Sequence, residues 1–214
     1  RLIINAPPRS LKTSMANSYF IPWLLGKNPK TKIIVVTYGD DLSTTLARAT
    51  KKVFLHPAYK RIFPHTVLEN DRMQATNLRT PQGGQVIFTS IRGALTGLGA
   101  DWIILDDPLQ AAHMRSEVRQ DDLVQVFRQS VTTRLDNPQT GKMLLIQQRI
   151  SPNDLCGDIT RDPAHPWTVL SLPARFDEPA QFKLGIFGHK EVTTGELLTP
   201  NRMSEQFLSE KQSE

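Results

Sequence analysis

The sequence predicts an α/β fold in three layers, a mostly parallel central sheet flanked by helices, and three observations predict it. Short continuous apolar runs, Lys32 to Tyr38, Asp101 to Asp107 and Lys142 to Gln148, are bounded by turns in the manner of strands buried on both faces. Helix-period stretches alternate with them. Two of the runs end in polar groups, as strands do where a ligand meets the carboxyl edge of a parallel sheet.

The first element is a strand, Leu2 to Asn5, followed by Ala6-Pro7-Pro8-Arg9-Ser10-Leu11-Lys12-Thr13 and a helix from Thr13 to Trp23. A nucleoside triphosphate needs backbone N–H groups at a helix start, a cation for its β- and γ-oxygens and a hydroxyl for Mg²⁺. The octapeptide supplies these in order, with Lys12 as the cation and Thr13 as the Mg²⁺ ligand. It departs from G-x-x-x-x-G-K-[ST] at Ala6 and Leu11, where a backbone with φ > 0 would be strained. The alternative is a Pro-rich turn with a solvated lysine.

Pro22 to Lys32 reads as loop, with Gly26, Asn28 and Pro29. Lys32 to Tyr38 is the next strand. Gly39 to Leu55 follows as a helix, with Asp40 or Asp41 near its cap and Leu42, Leu46, Ala49 and Val53 on one face. Met73 to Arg79 and Gln85 to Ser90 flank a Gly-containing turn at Thr80 to Gly84, an antiparallel hairpin. Gly93 to Ala100 is Gly-rich but precedes no helix, so a connector is favoured over a second phosphate cradle.

In Asp101 to Asp107 a strand from Trp102 to Leu105 ends in two carboxylates. Asp106 is placed to hold Mg²⁺, and Asp107 to polarise an attacking water. An Asx turn stopped by Pro108 is the bland alternative. Paired with Lys12-Thr13, the motif reads as the Walker B partner of a Walker A loop, which makes the domain a P-loop NTPase.

Arg115 to Arg134 has the period of an amphipathic helix capped near Ser116, with Val118, Leu123, Val126, Phe127 and Val131 inward. Asn137 to Gly141 is a turn, and Lys142 to Gln148 a strand leading into Arg149. Gln148 and Arg149 stand where a γ-phosphate sensor is wanted, though solvated residues at a strand end fit equally well. Ser151 to Thr160 starts a helix with Pro152 just inside it, and Thr168 to Leu172 is a last strand. The core is expected over 1–173. Beyond it, 174–214 reads as a loop-rich extension wrapping the domain, with a polar helix from Met203 to Gln212.

Composition narrows the function. A net charge of +5 permits a polyanionic partner without requiring one. The single cysteine, Cys156, excludes an intrachain disulfide and a cysteine-based zinc site, and no apolar run reaches membrane-spanning length. The chain is expected to be cytosolic. Its opening on Arg1 directly before a strand suggests a piece of something longer.

Taken in order, APPRSLKT, TYGDDLSTTLA, TGLGAD, WIILDDP and LLIQQRISPNDL resemble the ATPase half of the large terminase subunit of tailed bacteriophages, over about residues 1–160. A weaker likeness lies in GELLTPNRMSEQF, Gly195 to Phe207. The resemblance implies a RecA-like P-loop fold of the ASCE type and an ATP-driven, Mg²⁺-dependent motor that moves double-stranded DNA into a procapsid. It implies a ring of copies, monomeric when isolated, that meets the portal protein and the small terminase subunit, in the host cytoplasm and transiently at the portal vertex. No membrane is involved.

By the same resemblance, Pro8 to Ser14 cradle the nucleotide, with Lys12 on phosphate, Thr13 and Asp106 on Mg²⁺, and Arg9 directed to the γ-phosphate. Gln148 stands at the coupling motif and Arg149 matches the arginine after it. Arg92 is a finger for a neighbouring subunit. Leu11 stands where most members have Gly, and Asp107 where they have Glu, so Glu117 is a second carboxylate considered for the water. Nuclease activity is not expected of this stretch. A helicase-like ATPase and a non-catalytic P-loop module for DNA binding or assembly are the alternatives.

Overall fold

The apolar runs become strands because each residue in them has somewhere dry to point. Ile103 and Ile104 are neighbours, face opposite sides of the sheet, and are both fully buried. Each such side chain contributes roughly 1.5–3 kcal/mol of burial. A computed structural model describes residues 1–69, 75–110, 113, 116–149 and 151–212.

Nine strands are described among these residues: β1 (Leu2–Asn5), β2 (Lys32–Thr37), β3 (Asn77–Arg79), β4 (Gln85–Ser90), β5 (Trp102–Asp106), β6 (Lys142–Gln147), β7 (Thr168–Ser171), β8 (Ala180–Lys183) and β9 (His189–Val192). The first seven form one sheet in the order β3-β4-β2-β5-β6-β1-β7, parallel except for the β3–β4 pair. β6 thus lies between β1 and β5. The registers Thr37↔Asp106, Asp106↔Ile146 and Asn5↔Gln147 bring the carboxyl ends of β1, β2, β5 and β6 to one edge.

The helices α1 (Ile21–Lys27), α2 (Asp40–Leu55), α3 (Pro57–Ile62), α4 (Glu117–Val126), α5 (Leu155–Thr160) and α6 (Glu205–Gln212) complete the fold. One sheet face packs Ile33, Val35, Ile104 and Leu144 against Leu25 of α1 and Leu46 and Phe54 of α2. The other packs Val36, Leu105 and Leu145 against Leu123, Phe127 and Val131 and against Leu155 and Ile159 of α5.

Several expected boundaries are corrected. The first helix runs on past Trp23, as a π-helical stretch Ser14–Phe20 continued by α1 to Lys27, so Pro22 is helical rather than loop. The change from π to α winding at Ile21 puts Pro22, which has no N–H, in the first turn of the new register. Gly26 sits in the last turn because the ring of Phe63 occupies the space of a side chain, 2.5 Å from where a Cβ would stand. α3 is not foreseen by the sequence reading; it starts at Pro57, where the His56 ring accepts a hydrogen bond from the Ala58 N–H at 3.2 Å.

The hairpin forms as expected over β3 and β4; Met73 and Gln74 of the expected first strand lie outside the described residues. The Gly93 to Ala100 stretch is a connector with no helix after it, tied by Ala100 N–H to the Arg134 carbonyl at 2.9 Å. Arg115 also lies outside the described residues; the helix expected there is α4, continued by a π stretch Phe127–Val131 and a 3₁₀ turn Thr132–Arg134. Ser116 holds the cap position without a side-chain cap bond. Val118, expected inward, is 74% exposed, since five residues before Leu123 is the far side of a helix; Gln120, three before, takes the inward place.

α5 begins at Leu155, not near Ser151, because the Asp154 carboxylate caps it, accepting the Gly157 N–H at 2.9 Å. Pro152 lies in the preceding turn. The extension is not wholly loop: β8 and β9 pair as a separate antiparallel hairpin, and the polar helix starts at Glu205. No described helix is long and apolar enough to cross a membrane.

Candidate nucleotide site

Ala6 to Thr13 leaves the end of β1 and turns back into the helix over the carboxyl edge of the sheet. Two of its residues adopt left-handed backbone, Arg9 at φ 63° and Leu11 at φ 66°. Leu11 does what a glycine would do at this position, at a cost of roughly 1–2 kcal/mol. Ala6 is not among the positive-φ residues; it is buried, and its N–H donates to the Gln147 carbonyl at 3.2 Å. Ser10 Oγ closes the loop on the Pro7 carbonyl at 2.8 Å. Met15 N–H donates to Leu11 at 2.9 Å as the helix begins, so the N–H groups just before it open toward the loop.

Thr13 Oγ1 donates to Asp106 Oδ1 at 3.1 Å, joining residues 93 apart in sequence. Asp106 Oδ2 accepts Asn17 Nδ2 at 2.7 Å, and the same amide reaches the Thr13 carbonyl at 3.1 Å. Lys12 Nζ lies 3.0 Å from Asp107 Oδ2 and 3.5 Å from the Ala6 carbonyl. Asp107 has φ 42°, and its Oδ1 is buried with no hydrogen-bond partner among the described residues. Burial, then the adjacent Asp107 charge, push the Asp106 carboxyl up to about 7 against the pull of Thr13, Lys12 and Asn17. A carboxylate so placed is short of positive charge.

Beside them opens a cleft of about 670 Å³, lined by Pro8, Arg9, Leu11, Lys12, Thr13 and Ser14 of the loop and by Tyr38, Asp107, Leu109, Gln148 and Arg202, with Asp106 and Asn17 buried behind Thr13. The donor set fits a triphosphate with a hard divalent cation: a hydroxyl and a buried carboxylate in contact, a lysine beside them, and N–H groups at a helix start.

Other expected residues go elsewhere. Arg149 turns away into the start of α5, its Nε 2.8 Å from Asp154 Oδ2 and an Nη 3.1 Å from the Ser151 carbonyl. Arg92 pairs with Asp122 at 3.2 Å on a neighbouring depression. Glu117 is exposed in the first turn of α4 and does not line the cleft. Arg9 lines it, with its guanidinium 5.0 Å from the ring centre of Phe207 in α6.

The sequence reading missed Asn17, Tyr38, Gln147 and Arg202. Asn17 had a signal, one helical turn beyond Thr13 and so on the same face. Tyr38 had one too, directly after a strand that ends at the same carboxyl edge of the sheet. Gln147, the last residue of β6, is buried with its Nε2 unpartnered among the described residues. Arg202 had none, since only folding brings the extension back.

No protein-family model and no curated protein matches the chain. Among solved structures it is similar to the large terminase of bacteriophage HK97, at 16% identity and TM-score 0.55, covering 85% of this chain and 37% of that one. It is similar also to the large terminase ATPase domain of Thermus phage P74-26, at 15% identity and TM-score 0.55, covering 83% and 76%. A third is the large terminase of a thermophilic bacteriophage in complex with ATP-γ-S, at 11% identity and TM-score 0.50, covering 80% and 38%. The chain therefore spans little more than a third of the first and third of these proteins. With β6 between the loop strand and the carboxylate strand and these likenesses over most of its length, the chain has the fold of the ATPase domain of phage large terminases.

Proposed function

We propose that this chain is the ATP-hydrolysing motor domain that drives double-stranded DNA into a viral procapsid. The contact of Thr13 Oγ1 with Asp106 carries the reading, because it joins a phosphate loop to a metal carboxylate across 93 residues. Thr13 and Asp106 would hold Mg²⁺, which supplies charge for the β- and γ-oxygens when bound. Lys12 exchanges Asp107 for phosphate, and Asp107, relieved of that ion pair, accepts a proton from the attacking water. Arg9 leaves the Phe207 ring for the γ-phosphate. Gln148, on the cleft wall, orients the γ-phosphate end.

DNA, the portal protein, the small terminase subunit and a ring of copies follow from the packaging role. One observation favours the non-catalytic reading: Leu11 and Arg9 hold strained backbone where a flexible loop would serve turnover. The deciding experiment is ATP hydrolysis with Mg²⁺ at rising protein concentration, with and without linear double-stranded DNA, for wild type, Lys12→Ala and Asp106→Ala. A rate per subunit that rises with concentration and DNA and vanishes in both variants is expected. A flat background unaffected by either substitution overturns the motor reading, and nucleotide binding without turnover selects the non-catalytic one.

A further inference from the structure

The extension brings a cation of its own to the cleft. β7 ends at the carboxyl edge, where Ser171 pairs with Asn5 and the Leu172 N–H donates to the Asn5 carbonyl at 2.8 Å. The chain runs out from there through Ala174 to Phe176, and a later segment comes back antiparallel to it. Phe176 N–H donates to the Glu196 carbonyl at 3.0 Å, Leu198 N–H to the Ala174 carbonyl at 3.0 Å, and Arg175 bridges Leu197. The returning segment ends in a β-turn, Thr199-Pro200-Asn201-Arg202, closed by the Arg202 N–H on the Thr199 carbonyl at 2.9 Å. Pro200 presets the backbone at the second position of that turn. Met203 follows, buried, and its N–H donates to the same carbonyl at 2.9 Å, so the backbone at Arg202 is fixed from both sides.

The Arg202 side chain is not held in this way. Arg175, the other arginine of the extension, pairs with Glu205. Arg202 is exposed and lines the cleft, and its guanidinium has no hydrogen-bond or carboxylate partner among the described residues. Arg9 has no carboxylate partner among them either and rests on Phe207. Asp107 is the one carboxylate among the described lining residues, and Lys12 takes it. Arg9 and Arg202 therefore face a concave space with their charges unmatched, and such a space focuses its field on an incoming anion.

We propose that Arg202 binds the phosphates of a nucleotide held by its own chain and so ties the extension to the state of the cleft, a proposal that rests on the triphosphate reading. The planar fork of a guanidinium meets two phosphate oxygens at once, where an ammonium offers a point charge. Phe207 belongs to the same segment as Arg202. Phosphate that takes Arg9 from Phe207 and engages Arg202 exchanges one hold of the loop on the extension for another.

Calorimetric titration of the whole chain with inorganic tripolyphosphate and Mg²⁺ tests this for wild type, Arg202→Gln and Lys142→Gln. Lys142 begins β6 at the opposite edge of the sheet and controls for net charge. Arg202→Gln, an exposed position where no packing is lost, weakens binding at least about tenfold, while Lys142→Gln stays within about twofold. Hydrogen exchange then reads the extension: saturating Mg²⁺-tripolyphosphate slows exchange over residues 199–203 in wild type and not in Arg202→Gln. Arg202→Gln that binds as tightly as wild type, or Lys142→Gln that loses as much, overturns the role of Arg202. Equal slowing in both proteins, or none in wild type, overturns the tie to the extension. Either result leaves the triphosphate reading standing, whereas wild type that does not bind overturns that reading and the role of Arg202 with it.

Discussion

Asp106 concentrates the conflict at the site. Its carboxyl is pushed from the ordinary 3.8 up to about 7, so the folded protein holds a proton that the unfolded chain releases. The stability due to this group is therefore full below pH 3.8, falls as pH rises toward about 7, and is level above that. Urea midpoints without Mg²⁺ are expected to decline from pH 5 to pH 8 in wild type and to lose that slope in Asp106→Asn. An unchanged slope in the variant would remove Asp106 as its source. Leu11 is strained by its φ of 66° and is 41% exposed, so little packing is lost on truncation. Leu11→Gly is expected to gain up to about 1 kcal/mol in urea unfolding, strain relief outweighing the added freedom of the unfolded chain. A loss of stability would show that the Leu11 side chain matters more than its backbone.

At the scale of elements, the helix that follows Ala6 to Thr13 shows how local chemistry and packing share control. Its π winding carries Asn17 under Asp106, and its final turn must pass Phe63 at Gly26. Gly26→Ala puts a methyl group 2.5 Å from the Phe63 ring, and overpacking of this kind costs about 1–3 kcal/mol. Thermal unfolding of Gly26→Ala should show a lowered midpoint that Phe63→Leu partly restores; no change would mean that α3 moves aside freely. The strands with buried faces were legible because their residues form unbroken apolar runs. The helix boundaries were not. Pro22 reads as a breaker until the change of winding is known, and Ser151 to Asp154 reads as helix until Asp154 is seen to cap Gly157.

Over the whole molecule, the site is assembled from segments that are remote in sequence: the loop after β1, the ends of β2, β5 and β6, and Arg202 and Phe207 of the extension. Ligand that binds only this assembly must stabilise all of it. At about 100 times its dissociation constant, Mg²⁺-ATP is expected to add about 2.7 kcal/mol to unfolding, read as a raised thermal midpoint. Lys12→Ala should abolish the rise; a rise that survives would place the ligand elsewhere.

The meeting of Thr13 with Asp106 and of Lys12 with Asp107 was legible by residue type and order, since the phosphate and metal chemistry read from the sequence asks for a cation, a hydroxyl and carboxylates at strand ends. The α/β class was legible from periodicity, which depends only on near neighbours. Arg149 was drawn aside by a near neighbour, Asp154 five residues on, whereas where Arg92 points was decided by tertiary structure, through Asp122 of α4. So was the return of Thr199 and Arg202 to the loop after β1. Contacts between distant segments depend on how whole layers pack, and no local pattern of residues encodes the direction in which a long side chain finds its partner.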